Sequence, residues 1–398
     1  MTARVRDAVA IQVLFLLFGV VIAAFFPFLS LFLDDKGLTA GQIGVVIAAM
    51  AVARVLCNPI WGHLADTTIG RRTALLIGTT GGAVAAIALL LAQTYAGVVV
   101  IGFVFAAFST TTGSNIDAIA IAHLGDARMT DYGRIRGWES LTYATSCFVL
   151  GAVLEQMGVS WTMPIFAGAS VVVVAWTLLT IPADRPERTQ EHGRLGAVGS
   201  VFREAPRFWG FLAAVLLVWT GFNAAWNFLG LKIDEAGGGP LLLGIGTALG
   251  GFTEVPMMRL SSRWGRRYGL RPVYAAGCVV YAFGFLMWGL AADATVVSLL
   301  TVFEGMAFGL LFSTSVVVVG RMLPSSLYST GQSLSATVGF GIGPILGAGV
   351  GGYVYDTFGS TTLYVGASAL ALAGAVVSWI ALSPASLSRP QPEVEPVL

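Results

Sequence analysis

Five ionisable side chains interrupt long apolar stretches of this chain, and their types define the chemistry to look for. They are Arg54, Asp117, Glu139, Glu254 and Glu304. An ionisable group is costly to place in hydrocarbon, so residues of this kind usually mark a solute path or a proton relay. The pattern therefore predicts binding of a polar solute together with proton transfer.

Glu304 has the best position for proton coupling, about nine residues or roughly 14 Å into a hydrocarbon core of about 30 Å. Coupling requires a carboxyl that is neutral in one state and ionised in another. A neutral glutamate bonded to a neighbouring helix is the alternative. Glu254 lies near the predicted end of its own helix. Its two possible roles are proton coupling and an ion pair with Arg259 or Arg263. Arg54 either extends towards the interface or compensates a carboxylate.

Two polar helix faces add candidate binding residues. Asp117 follows Thr110, Gly113 and Ser114 at helical spacing, which places a polar stripe on one face. The other face, on the seventh apolar stretch, consists of Trp219, Asn223, Trp226 and Asn227. Amides and indoles suit a polar ligand that has a ring or apolar face. Interfacial tryptophans and interhelical amide hydrogen bonds are the alternative.

The composition requires a membrane to hold these residues. Of 398 residues, 56% are hydrophobic and 11% are charged, whereas a soluble domain carries about 25% charged residues. The 50 glycines fit helices that pack closely in lipid. The net charge of +1 indicates no nucleic-acid partner, and the three cysteines have no metal-ligand spacing, so neither a metal nor another cofactor is expected.

Apolar segments of about 20 residues can cross the hydrocarbon core as helices, and the sequence predicts twelve of them. They are 9–33, 42–61, 73–93, 97–121, 134–157, 160–181, 208–230, 241–260, 272–291, 295–318, 328–354 and 361–382. The polar segment 182–207 is predicted to link two pseudo-symmetric six-helix bundles, residues 1–181 and 208–398. Gly70-Arg71-Arg72 after the second crossing and Gly265-Arg266-Arg267 after the eighth support this internal repeat. The predicted fold class is an all-α membrane protein.

Positive charge predicts the orientation of these helices. Nearly all lysines and arginines lie in one set of alternate loops and ends, beginning with Arg4 and Arg6, while the other set holds Lys36 and Lys232. By the positive-inside rule both termini are predicted to be cytoplasmic. The expected location is therefore the inner (plasma) membrane, crossed many times.

The loop after the second crossing carries a family signature. It reads Gly62-His63-Leu64-Ala65-Asp66-Thr67-Thr68-Ile69-Gly70-Arg71-Arg72. This resembles the cytoplasmic loop of the major facilitator superfamily, of the form G-x-L-a-D-r-x-G-r-r. Thr67 replaces the usual basic residue, and one extra residue separates Asp66 from Gly70. The resemblance implies a gating role for Gly62, Asp66, Gly70, Arg71 and Arg72.

A narrower resemblance is to the lactose permease and phenylpropionate permease-like branch. It rests on Asn115-Ile116-Asp117-Ala118, on Tyr132-Gly133-Arg134-Ile135-Arg136, on Glu254-Val255-Pro256 and on 331–359. In that branch an acid on the fourth helix and an arginine on the fifth face the substrate, and Asp117 and Arg136 match them. If the fifth helix begins near Asp131, as this implies, one of its faces carries Arg136, Glu139, Ser140 and Tyr143.

Together these observations predict a proton-coupled symporter working by alternating access. The solute would be small and polar or amphiphilic; the resemblance suggests a sugar, a nucleoside or an aromatic acid. The predicted substrate-binding residues are Asp117, Arg136, Glu139, Tyr143, Asn223, Trp226 and Asn227. The predicted proton-coupling residues are Glu304, Asp117 and Glu254, with Arg54 compensating charge. Besides solute, protons and lipid no partner is expected, and the chain is predicted to act as a monomer.

Sequence motifs bear on three other functions: efflux antiport, enzymatic catalysis and nucleotide hydrolysis. A proton-driven multidrug or metabolite efflux antiporter of the same fold stays open, although the proline of the exporters' G-x-x-x-G-P-x-x-G-like signature is missing from 148–153. An enzyme is disfavoured because His63, His123 and His192 fall in predicted loops. The sequence contains no G-x-x-x-x-G-K-[ST] loop, so nucleotide hydrolysis is not expected.

Overall fold

A computed structural model describes residues 3–124, 129–184, 195–383 and 386–387, and within these ranges the chain is helical with no β-strand. The helices are α1 (Ala3–Phe25), α2 (Leu29–Asp35), α3 (Ala40–Leu64), α4 (Arg71–Leu91), α5 (Tyr95–Leu124), α6 (Met129–Met157), α7 (Thr162–Thr180), α8 (Leu195–Glu204), α9 (Pro206–Asn227), α10 (Leu229–Glu235), α11 (Pro240–Tyr268), α12 (Leu270–Leu290), α13 (Ala294–Leu299), α14 (Thr301–Met322), α15 (Tyr328–Ala336), α16 (Gly343–Phe358) and α17 (Ser360–Ala381).

Eleven helical spans in the described residues are long and apolar enough to cross a membrane. The predicted crossing outside this set is α6, whose first half carries Asp131, Arg134, Arg136 and Glu139. Three crossings are interrupted by turns, at Phe26–Phe28, at Phe228 and at Leu300, and the eleventh becomes a π-helix over Thr337–Ile342, between α15 and α16. The first break contains Pro27, which has no backbone N–H to donate.

The observed helices differ from the predicted ones in two places. Helix α11 continues to Tyr268, so Glu254 is the fifteenth of its 29 residues and lies mid-helix, deeper than predicted. Within the predicted linker 182–207, residues Leu195–Glu204 form a helix that the sequence did not predict.

Helix packing divides into contacts within each half of the chain and contacts between them. In the N-terminal half α4 packs on α5 and α7, α3 packs on α5, and α1 packs on α6 and α7. In the C-terminal half α12 packs on α14 and α17, α9 on α16 and α17, and α11 on α14. Two long helix pairs join the halves, α6 with α11 and α3 with α16, and the short helices α2 and α10 also touch.

Each of these two joining pairs is built on facing glycines. Gly44 of α3 meets Gly352 of α16, and a Cβ on Gly352 would lie 2.6 Å from the Ala40 carbonyl oxygen. Gly151 of α6 meets Gly244 of α11, and a Cβ on Gly151 would lie 2.7 Å from the Pro240 carbonyl oxygen. Glycine lets membrane helices approach to backbone contact, so these positions exclude any larger residue in this conformation.

Hydrogen bonds between the halves lie at one end of the molecule, called here the closed end (residues 36–41, 155–158, 235–241 and 356–359). The Leu241 backbone N–H donates to Glu155 Oε2 at 3.1 Å, and Thr39 Oγ1 donates to Asp356 Oδ2 at 2.9 Å. Both carboxylates face the N-terminus of a helix from the other half, which the helix dipole favours.

At the opposite end, called the open end (residues 64–71, 181–184, 265–270 and 322–328), no hydrogen bond joins the halves among the residues described. From Arg54 to Leu64 every residue of α3 is half-buried or exposed. The halves are therefore sealed together at one end and separated at the other.

Candidate functional site

A cavity of about 280 Å³, the central cavity, is lined by both halves through α1, α6, α9, α11 and α14. Its polar lining residues are Glu139, Ser140, Tyr143, Thr247, Glu254 and Glu304. Its aromatic lining residues are Phe26, Phe222, Trp226 and Phe308. This mixture of apolar wall and a few polar groups is typical of small-molecule sites.

Three carboxyl groups converge on this cavity from three helices, and none of the described residues that line it is basic. Glu304 is 8% exposed, and its Oε2 would lie 2.8 Å from a Cβ placed on Gly250. No hydrogen bond or ion pair to another described residue holds Glu139, Glu254 or Glu304. Unpaired carboxyls that share a small cavity resist ionising together, so the arrangement is suited to taking up and releasing a proton.

The aromatic wall crosses the boundary between the halves. Trp226 stacks on Phe222 of its own helix with centroids 6.0 Å apart and on Phe26 of the N-terminal half at 6.3 Å. Phe222 in turn lies 6.0 Å from Phe308. This continuous wall of flat rings can pack against the face of a ring-shaped solute.

The other polar residues of α9 do not reach the central cavity. Asn223 Nδ2 donates to the Trp219 carbonyl oxygen of its own helix at 2.8 Å. Asn227 Nδ2 is buried without a hydrogen-bond partner among the described residues. Of the four residues predicted to form one binding face, only Trp226 lines this cavity.

Asp117 and Arg136 meet, as the polar faces of the fourth and fifth crossings suggested. Arg136 Nη1 lies 3.5 Å from Asp117 Oδ2, and Tyr132 bridges them because its hydroxyl donates to Asp117 Oδ1 at 2.7 Å and accepts from Arg136 Nη1 at 3.3 Å. Half of the Arg136 side chain is exposed.

This ion pair lies outside the central cavity but within reach of it. Neither Asp117 nor Arg136 is a lining residue, yet Arg136 is within electrostatic range of Glu139, one helical turn further along α6. Arg54 also lies outside the central cavity. It lines a second cavity inside the N-terminal half.

The signature loop is tied to its own half in this conformation. Asp66 Oδ1 accepts from Arg71 Nε at 3.2 Å, and Asp184 Oδ2 accepts from the Arg71 backbone N–H at 2.6 Å. Arg72 Nη2 donates to the Leu178 carbonyl oxygen at 3.1 Å. The extra residue before Gly70 is absorbed by a π-helical turn over Ala65–Ile69, the usual form of a one-residue insertion in a helix.

Replacing Asp66 with alanine is expected to lower the transport rate about fivefold and to leave solute affinity unchanged. Among the described residues Asp66 bonds to Arg71 of its own loop. If it met a helix N-terminus when this end closes, that contact would be worth about 1 kcal/mol. Initial transport rates and equilibrium binding on the same preparation measure the two effects. Thr67→Ala, which removes a hydroxyl bonded within the loop, is the control, and an unchanged rate in Asp66→Ala would exclude the gating role.

Several residues of these sites carried no signal in the sequence. Asp184 caps the N-terminus of α4 from within the predicted linker. Phe26, Phe222 and Phe308 are indistinguishable in sequence from lipid-facing phenylalanines. Thr247 stands in an apolar helix among many small residues. Their roles follow from which helix faces meet, and sequence spacing within one helix does not determine that.

Comparison with known proteins supports the architecture. The Maltose permease of Geobacillus stearothermophilus is 25% identical over 362 residues, covering 89% of each chain. The Probable 3-phenylpropionic acid transporter of Escherichia coli (strain K12) is 23% identical over 282 residues, covering 70% of this chain and 73% of its own. The crystal structure of the nucleoside transporter NupG superposes with a TM-score of 0.80 at 18% identity and covers 98% of this chain and 100% of its own.

The match to a family model extends over residues 9–365, nearly the whole membrane-embedded part of the chain. It agrees with the loop signature, with the eleven spans and with the fold of the nucleoside transporter. The chain belongs to the MFS_1 like family and is a multi-pass integral membrane transporter of the major facilitator fold, not an enzyme.

Proposed function

We propose that this protein is a proton-coupled symporter for a small neutral solute with a hydroxylated ring, such as a sugar or a nucleoside. The observation that carries the proposal is the meeting of three unpaired carboxyl groups and an aromatic wall in one cavity between the two halves. Carboxyl oxygens accept hydrogen bonds from hydroxyl groups, and the rings of Trp226 and Phe222 can pack on a sugar or base face.

The electrostatics of the central cavity narrow the solute class. Among the described residues, Glu139, Glu254 and Glu304 line it and no cation does, so an organic anion would be repelled there. An aromatic acid is therefore a poorer candidate for this cavity than a neutral solute. The names of the similar maltose permease and nucleoside transporter both denote solutes that contain a sugar ring, which supports the same class.

The proposed architecture has twelve crossings, with α6 as the fifth, and both termini in the cytoplasm. The bundles would be residues 1–181 and 208–398, linked by 182–207. The positive-inside rule then assigns the open end to the cytoplasm, so this conformation would be inward-open. Rocking of the bundles about the α3–α16 and α6–α11 contacts would close the cytoplasmic end and open the other.

Coupling would follow from the cost of enclosing charge. Burying an ionised, unpaired carboxylate when the cavity closes costs several kcal/mol, because the charge loses its hydration. Protonation of Glu304 removes this cost, and a bound solute fills the hydrogen-bonding positions of the remaining carboxyls. The loaded cavity would therefore change its accessibility, whereas a cavity holding solute without the proton would not.

Purified protein in proteoliposomes tests this function directly. With an imposed proton gradient, accumulation of labelled maltose or uridine, collapsing on addition of a protonophore, is the expected result. Accumulation of benzoate but of neither neutral solute would contradict the assigned class. If the proton gradient instead drove the labelled solute to the opposite side of the vesicle membrane, the protein would be the efflux antiporter.

The Asp117–Arg136 pair is expected to support the substrate site as well as the fold. Asp117→Asn and Arg136→Gln should each lower stability by about 1–2 kcal/mol and weaken solute binding. The loss is smaller than for a fully buried orphan charge because both side chains are partly exposed. The double mutant should regain stability because neither charge is left unpaired. It should not regain affinity, because the Arg136 guanidinium that interacts with Glu139 is missing.

Melting temperature and affinity on wild type, both single mutants and the double mutant measure this cycle. Tyr132→Phe removes the bridging hydroxyl but keeps both charges, and so serves as the matched control. Recovery of wild-type affinity in the double mutant would show that the pair is purely structural.

A further inference from the structure

A second cavity, the Arg54 cavity, has a volume of about 290 Å³ and lies within the N-terminal half. Residues of α1, α3, α4, α5 and α7 line it. It shares only Ile22 and Phe26 with the central cavity, so these two side chains stand between the cavities. Its size is at the lower end of small-molecule sites, which begin at about 300 Å³.

Arg54 brings an uncompensated positive charge into this cavity. No described residue makes a hydrogen bond or an ion pair with its guanidinium, and no acidic residue lines the cavity. Arg54 is the fifteenth of the 25 residues of α3, and ten residues from its end correspond to about 15 Å. A guanidinium at this depth offers five N–H donors and requires acceptors.

Hydroxyl groups in the same cavity also lack partners. Ser109 Oγ and Ser170 Oγ are buried and make no hydrogen bond to any described residue, and Ser170 is 1% exposed. Buried polar groups are normally satisfied. Both oxygens are packed within the cavity wall, Ser109 Oγ against Gly82 of α4, so the guanidinium of Arg54 is the charged donor that lines the cavity.

The remaining wall is aromatic. Phe25, Phe105 and Phe166 form a cluster with centroids 4.6 Å, 5.1 Å and 5.8 Å apart, and all three line the cavity. A cation and a ring cluster match the two ends of an aromatic carboxylate.

The two halves give opposite charges to equivalent positions. Arg54 follows the interface glycine Gly44 by ten residues on α3, and Glu254 follows the interface glycine Gly244 by ten residues on α11. The repeat therefore places a cation in the N-terminal half where the C-terminal half has a carboxyl.

We propose that the Arg54 cavity is a binding site for a small aromatic carboxylate, separate from the solute site of the central cavity. The carboxylate would accept bidentate hydrogen bonds from Arg54. Its ring would pack against Phe18 and Phe166, which also line the cavity. A lipid phosphate is not the ligand, because the headgroup region lies about 15 Å away along α3. This inference does not depend on the solute or the coupling assigned to the central cavity.

Thermal unfolding of the purified full-length protein with benzoate tests the site, with benzamide as its neutral isostere. Benzoate should raise the melting temperature in a saturable way, and benzamide should not. Arg54→Gln should weaken benzoate binding at least about tenfold, and Arg54→Lys should retain part of it. Ser170→Ala, which leaves the charge in place, should weaken it less than Arg54→Gln.

Three further results decide the assignment. Glu304→Gln removes a carboxylate from the central cavity and should leave the benzoate shift unchanged. A larger shift in this variant would place benzoate in the central cavity and overturn the proposal. Equal stabilisation by benzamide or by inorganic phosphate would overturn the aromatic-carboxylate class. Full benzoate affinity in a folded Arg54→Gln protein, or no shift in the wild type, would overturn the site itself.

Discussion

Replacing Glu304 with glutamine is expected to abolish accumulation of solute while leaving solute exchange measurable. Glutamine keeps the shape of a protonated glutamate but cannot release a proton, so the loaded cavity can reorient but cannot draw on the gradient. A proton moving through 100 mV supplies about 2.3 kcal/mol, enough to concentrate a neutral solute roughly 50-fold. In Glu304→Gln proteoliposomes the solute should reach the same concentration on both sides.

Counterflow of labelled solute and gradient-driven uptake, measured on the same vesicles, separate exchange from accumulation. Asp293→Asn is the matched control, because this carboxylate caps α13 outside the cavity and asparagine caps a helix equally well. Accumulation at the wild-type level in Glu304→Gln would exclude Glu304 as the coupling acid. Glu254, which shares the cavity, would then be the residue to neutralise next.

Gly44→Leu is expected to open the closed end and to stop transport. The new side chain would collide with the Ala348 carbonyl oxygen and with Gly352 on α16. Overpacking of this kind costs about 1–3 kcal/mol, which should lower the population sealed at this end roughly 5- to 150-fold. Gly244→Leu makes the equivalent collision at the Cys147 carbonyl oxygen and should have the same effect.

The native thiol of Cys147 reports this change for Gly44→Leu. It is fully buried on α6 at the contact with α11, and its labelling by an impermeant maleimide should rise when the halves separate at the closed end. Cys57 and Cys278 are replaced by serine for the measurement. Gly366→Leu, at a glycine with open space around it, should leave both labelling and transport unchanged. Wild-type labelling in a folded Gly44→Leu protein would show that this interface does not seal the closed end.

Some functional features were readable from local sequence because they depend on one segment at a time. Hydrophobic runs of membrane-spanning length predicted the helical spans, and the Gly62–Arg72 loop predicted the family, which the family model confirmed. The ionisable residues within apolar runs drew attention because their cost in hydrocarbon does not depend on their neighbours. The break at Pro27 likewise has a local cause, although it was not predicted.

Grouping those residues into sites was beyond the sequence. Glu139, Glu254 and Glu304 stand on α6, α11 and α14 and meet because glycines let these helices approach and fix which faces turn inward. Asp117 closes on Arg136 through Tyr132 rather than pointing into the central cavity, and Arg54 faces a separate cavity of its own.

The physical reason lies in how membrane helices are oriented. In lipid, hydrophobicity drives a segment into the bilayer but does not set its rotation about its own axis, since lipid tails are as apolar as the side chains. Rotation is set by close packing between helices that are remote in sequence, such as Gly44 with Gly352 and Gly151 with Gly244. The sequence alone therefore determined which residues are costly in the membrane, and the tertiary structure decided which of them share a cavity.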